Sequence, residues 1–95
     1  MSAYLVVNIQ VTDPVRYQDY IRQVKPIVEA YGGRYLVRGG RREVLEGNWK
    51  LERVVIIEFP DMARARSWWD SPEYASAKRI REESAKTDMV IIEGS

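Results

Sequence analysis

Apolar residues occupy the chain almost continuously from Ala3 to Val11, in a stretch rich in β-branched side chains that closes on Thr12-Asp13-Pro14. Such residues suit a pleated, buried surface, and an Asp followed by Pro is a favoured way to cap and open a helix. The pattern predicts a strand and then a helix. In that helix Tyr17, Tyr20, Ile21, Val24, Ile27, Val28 and Tyr31 fall at steps of three and four, which makes one apolar stripe. Pro26 lies within the stripe and predicts a kink near Arg22 to Lys25, because proline lacks the N–H and crowds the carbonyl four residues back. The stripe stays in phase across it, so the helix continues.

Tyr31-Gly32-Gly33-Arg34-Tyr35-Leu36-Val37-Arg38-Gly39-Gly40 stops this helix, runs a strand from Arg34 to Arg38, and breaks it at a second glycine pair, where a bulge or bend is expected. Arg41 to Glu46 extends the strand in this reading. Gly47-Asn48 supplies a turn, and Glu52 to Phe59 returns as the most strand-like run in the chain. Asp61 then caps a helix carrying Met62, Ala65, Trp68 and Trp69, Ser71-Pro72 restarts one through Tyr74, Ala77 and Ile80, and Met89 to Glu93 forms the last strand.

The order β-α-β-β-α-β defines a single α+β domain over residues 1–95, of the ferredoxin-like split βαβ type. Right-handed crossovers predict an antiparallel sheet of order 4-1-3-2 with both helical segments on one face. The runs Leu5-Val6-Val7, Val54-Val55-Ile56-Ile57 and Val90-Ile91-Ile92 are apolar on both faces of that sheet. One helical layer covers one face. The other is left for a second copy of the chain, so a homodimer through the open sheet face is expected.

Composition narrows the chemistry. The chain of 95 residues has no cysteine and no histidine, and a net charge of +1. A domain this small hides only roughly 60 to 70% of its unfolded surface, and a secreted one usually needs disulfides, so a cytoplasmic protein is expected. No apolar run approaches the about 18 residues of a membrane span, and no leader-like segment opens the chain. Without His or Cys, neither the usual metal sites nor a thiol nucleophile is available; no metal and no cofactor are expected. Arg53-Val54-Val55-Ile56-Ile57-Glu58-Phe59 offers no aromatic platform of the RNA-binding kind, and the charge is too balanced to imply nucleic acid.

The glycine-framed strand above, with Glu46-Gly47, Trp49, Glu58-Phe59-Pro60 and Trp69-Asp70-Ser71-Pro72-Glu73-Tyr74, resembles the bacterial domain of unknown function 1330 over essentially the whole chain. The resemblance implies a ferredoxin-like subunit pairing into a dimeric α+β barrel, near the cofactor-free monooxygenases of antibiotic biosynthesis and the muconolactone isomerase type.

Strand alternation places Tyr4, Val6, Asn8 and Gln10 on one face and Leu5, Val7, Ile9 and Val11 on the other. Asn8, Arg38 and Glu58 are the candidate polar residues at the mouth of a barrel cavity, with Trp69 and Tyr74 as aromatic walls. Arg38 would hold a carboxylate or enolate, and Glu58 would serve as base or orienter. The competing reading is an Arg38–Glu58 ion pair that sets sheet register. Trp68 and most of Tyr17, Tyr20 and Tyr31 read as core, with one of the phenols reaching the cavity. The function expected is a small-ligand-binding or accessory protein holding a small organic anion; the alternative is a cofactor-free, monooxygenase- or isomerase-like enzyme acting on an enolisable organic acid.

Overall fold

A computed structural model describes residues 1–95. Strand β1 (Ala3–Val11) is followed by helix α1 (Pro14–Ala30), strands β2 (Arg34–Arg38) and β3 (Arg53–Phe59), helices α2 (Met62–Trp69) and α3 (Pro72–Ser84), and strand β4 (Ala85–Glu93). The strands form one antiparallel sheet in the order β2-β3-β1-β4, the predicted 4-1-3-2 read from the other edge. The fold is ferredoxin-like.

Local chemistry accounts for the element ends. Asp13 accepts a hydrogen bond from the Arg16 amide at 3.1 Å, Asp61 from the Arg64 amide at 2.7 Å, and Ser71 Oγ from the Tyr74 amide at 3.1 Å. Each satisfies a backbone donor that the first helical turn leaves free. Pro26 sits on the solvent side of α1, and the helix runs through it to Ala30 because Tyr17, Tyr20, Val24 and Val28 remain buried on the other side. At its end Gly32 adopts φ +81°, and the Gly33 amide donates to Val28 O at 3.0 Å. A Cβ on Gly33 would collide with Val28 and Phe59, so the turn lies directly on the core.

Two expected features take a different form. Arg41 to Glu46 is not strand; residues 39–52 form an irregular connection between β2 and β3, exposed along Gly40–Lys50. Asn8 clamps its far end, donating through Nδ2 to Lys50 O and accepting from the Glu52 amide through Oδ1, both at 2.9 Å. β4 begins at Ala85 rather than Met89, because the register with β1 continues to Val11↔Ala85.

The core lies between the sheet and the helices. Leu5, Val7, Ile9, Val55, Ile57 and Phe59 point into it from the sheet, and Tyr17, Tyr20, Val24, Val28, Trp68, Tyr74, Ala77 and Ile80 from the helices. Trp68 anchors it, with ring centroids 5.6 Å from Phe59 and 4.1 Å from Tyr74. The reverse face of the sheet carries Tyr4, Val6, Val54, Ile56, Val90 and Ile92 with no helix over them; Val90 and Ile92 are about half exposed. The molecule is a slab of 36 × 33 × 17 Å.

Candidate functional site

The irregularity in β2 is at Leu36, three residues before the glycine pair where it is expected: Tyr35 pairs with Ile57, but Val37 pairs with Ile56 and Arg38 with Val55. An inserted residue reverses the facing of everything after it. Arg34 therefore lies on the open face opposite Glu58, while Tyr35 and Arg38 both turn toward the helices. Arg38 stacks its guanidinium over the Tyr35 ring, 4.6 Å from the centroid.

This separates the residues that the sequence grouped at one cavity mouth. Glu58 is bound by Arg34, whose Nε donates to Oε1 at 2.7 Å, and by the Tyr4 hydroxyl at 3.3 Å. Arg38 is not its partner, because antiparallel pairing sets the start of β2, not its end, against the end of β3. The hydrogen bond from Arg34 holds the Glu58 carboxyl below its usual pKa of 4.5. Asn8 is on the same open face, committed to the β2–β3 connection. Trp69 is half-buried under Lys78 Nζ, 3.8 Å from its ring centroid, and walls an apolar groove with Met62, Met89 and Ile91 at the β4 edge. Tyr74 is fully buried in the core.

Arg38 instead borders a small cavity of about 30 Å³ between the sheet and the helices. Leu5, Val7, Val55 and Ile57 form its floor, and Tyr17, Tyr20, Tyr35, Trp68, Arg53 and Arg81 supply its polar atoms. Three arginines, Arg38, Arg53 and Arg81, line this space and no Asp or Glu does. Arg81 is only 5% exposed, yet its partners are neutral: Nε donates to the Tyr74 hydroxyl at 3.2 Å and Nη1 to Thr87 Oγ1. Arg53 passes beside Gly39, where φ is +71° and a Cβ would strike its guanidinium. Gly39, the first of the second glycine pair, thus makes room for an arginine.

The phenols around the cavity stay protonated through the neutral range. Burial pushes Tyr20 well above its ordinary pKa of 10.0, with the neighbouring Tyr74 adding to the shift. Burial raises Tyr35 to about 12 against the pull of Arg38, and raises Tyr17 against the pull of Arg53. Phenols and guanidiniums together present hydrogen-bond donors to an apolar space. No group of three or more His, Cys, Asp or Glu side chains is placed to hold a metal.

The model of the domain of unknown function DUF1330 matches residues 2–95. The chain belongs to that family. No match was found among curated proteins. Among solved structures, this DUF1330 chain is similar to the RPA0582 protein of unknown function from Rhodopseudomonas palustris, with a TM-score of 0.79 at 19% identity over 99% of this chain and 82% of that one. A dimeric ferredoxin-like protein of unknown function from Jannaschia sp. CCS1 superposes with a TM-score of 0.72 at 13% identity, over 99% of this chain and 100% of that one. SnoaB, a cofactor-independent oxygenase from Streptomyces nogalater, does so with a TM-score of 0.66 at 11% identity, over 99% and 93%. These likenesses establish the fold.

Sequence reasoning missed Arg53, Arg81, Tyr35 and Trp68 as cavity residues of this DUF1330 chain. For the two arginines a signal was present. Arg53 is in phase with Val55, Ile57 and Phe59, and Arg81 follows Tyr74, Ala77 and Ile80 on the buried side of α3. A charge in an apolar phase is a marked position, because burying it unpaired is costly.

Proposed function

We propose that this protein binds a small organic anion in the cavity between sheet and helices, as a homodimer whose open sheet faces pack on one another. The observation that carries the reading is the set Arg38, Arg53 and Arg81 bordering one apolar cavity without a carboxylate. A buried guanidinium lacking a counter-charge is a standing cost, which a bound anion offsets. Arg38, exposed at the mouth, meets the ligand first. The dimer is supported by the uncovered strip Val6, Ile56, Val90 and Ile92 and by the dimeric relative from Jannaschia. Glu58 and Asn8 belong in this reading to sheet register and loop anchoring rather than to the site.

Thermal-shift and calorimetric titration with a panel of small monocarboxylates tests the anion. Saturable stabilisation by at least one of them, absent with sodium chloride at equal ionic strength, is the expected result; none across the panel sinks the reading. Sedimentation at micromolar concentration tests the dimer, and a stable monomer there removes it.

A second reading is favoured by the protonated Tyr17, Tyr20 and Tyr35. Neutral phenols beside guanidiniums stabilise an enolate as well as a carboxylate, which fits a cofactor-free enzyme acting on an enolisable acid. The fold shared with SnoaB is consistent with it. Oxygen consumption or solvent deuterium exchange into a bound acid separates this reading from simple binding.

A further inference from the structure

Two buried N–H groups have no hydrogen-bond partner, Arg53 Nε and Trp68 Nε1, and both residues line the same cavity. Trp68 is 1% exposed. Buried donors are nearly always satisfied, so a coincidence of two at one small space points to something that fills it. Neither side chain has any acceptor capacity.

A third donor follows from the direction of the neighbouring hydrogen bonds. Arg81 Nε can only donate, and it does so to the Tyr74 oxygen. The 2.9 Å contact between the Tyr74 and Tyr20 hydroxyls carries a single proton. Either hydroxyl can donate in this contact; Tyr74 is the more deeply buried and borders no cavity, so the arrangement that strands no proton in the core has Tyr74 donating to Tyr20. The Tyr20 proton is then free, and Tyr20 borders the cavity whereas Tyr74 does not.

We infer that this cavity is a donor-rich recess for the carboxylate head of a small monocarboxylate, in which Trp68 Nε1–H, Arg53 Nε–H and Tyr20 Oη–H contact the oxygens and discriminate against the isosteric amide. Tyr74 and Arg81 are positioning residues, which orient the Tyr20 proton without touching the ligand. The inference rests on the anion-binding function proposed above and adds to it the contacting donors and the selectivity. Size agrees: a water-sized probe needs about 10–15 Å³, so the cavity of about 30 Å³ takes two oxygens rather than a whole organic acid. The remainder of the ligand projects toward Arg38. An amide brings one acceptor oxygen instead of two and no charge to offset the arginines, so it leaves at least one of these donors unpaired, which is penalised.

The test is titration of the ¹⁵N-labelled full chain with sodium acetate and sodium benzoate, and with acetamide and benzamide, following the indole N–H resonance of Trp68. A saturable downfield shift with a carboxylate and roughly 100-fold weaker binding of its amide are expected. Tyr20→Phe should weaken carboxylate binding about tenfold or more with the resonance shift retained. Should Tyr20→Phe fail to fold, the wild-type indole shift and the carboxylate-to-amide ratio decide alone. Equal affinity for acid and amide overturns the inference. So does a Trp68 resonance that stays still while carboxylate binding remains sensitive to Arg53→Met, an outcome that leaves the anion site standing. Absence of saturable binding by either carboxylate overturns both.

Discussion

The two faces of the sheet handle charge in opposite ways. On the open face Arg34, 73% exposed, meets Glu58 at 2.7 Å, and the pair is complete within the chain. On the helix side Arg38, Arg53 and Arg81 border an apolar cavity that holds no carboxylate. Arg34 and Arg38 are only four residues apart on the same strand. One closes a structural ion pair and the other faces a cavity whose donors are unmatched, so residue type alone says little about role. What distinguishes them is whether the protein itself supplies the counter-charge.

The largest effect expected is on the helix side. Trp68→Ala removes the ring that joins Phe59 to Tyr74 and should cost about 3–5 kcal/mol in urea denaturation, since a buried aromatic leaves a cavity that collapses only in part. A loss below about 1 kcal/mol would show that the inner face is not the packed side of the comparison.

Arg53→Met should separate stability from binding. Removing a guanidinium whose Nε has no partner is expected to leave unfolding free energy within about 1 kcal/mol of wild type, or raise it, while carboxylate binding is lost. A large destabilisation with binding intact would make Arg53 a structural residue like Arg34.

Alkaline titration sharpens the same contrast. Tyr17, Tyr20 and Tyr35 have folded pKa values above 10.0, so their contribution to stability is complete below pH 10 and is lost as the pH rises from there toward the folded values. Phenolate absorbance near 295 nm should therefore appear in two stages, the second coinciding with loss of circular dichroism. Six tyrosines ionising together near pH 10 would contradict the raised pKa values of these three.

The smallest effect belongs to the open face. Glu58→Gln should lower the denaturation midpoint slightly at neutral pH and leave carboxylate binding unchanged. Because Arg34 lowers the folded pKa of Glu58, its contribution is present above pH 4.5 and disappears as the pH falls through the folded value. The variant and the wild type should converge in acid. Failure to converge would mean that Glu58 acts through something other than the Arg34 pair.

Much of the architecture was legible because it rests on short-range chemistry. The caps at Asp13, Asp61 and Ser71, the stop at Gly32-Gly33 and the stripe through Tyr17, Tyr20, Val24 and Val28 all appear where the pattern puts them. The site was less legible. Arg38 was singled out and does border the cavity, but its assumed neighbour Glu58 belongs to Arg34, and Asn8 and Trp69 serve other regions. Residues 41–46 looked extendable as strand, yet the connection is held by Asn8 and by the Arg42 side chain, which donates to Gly40 O and Leu51 O, rather than by ladder hydrogen bonds.

Sequence by itself determined the order of elements, the strand arrangement and the fact that both sheet faces are apolar, since periodicity, capping and crossover handedness are properties of neighbouring residues and chain direction. Only the tertiary structure decided which arginine faces which side. One extra residue at Leu36 turns Arg38 from the open face to the helices, and a period-two reading carries no mark of that insertion. The convergence of Arg53, Arg81, Tyr20 and Trp68 on one cavity is likewise a matter of distant segments packing together. Local pattern places each on the inward side of its element; it does not show that they meet at one cavity with no carboxylate side chain among them.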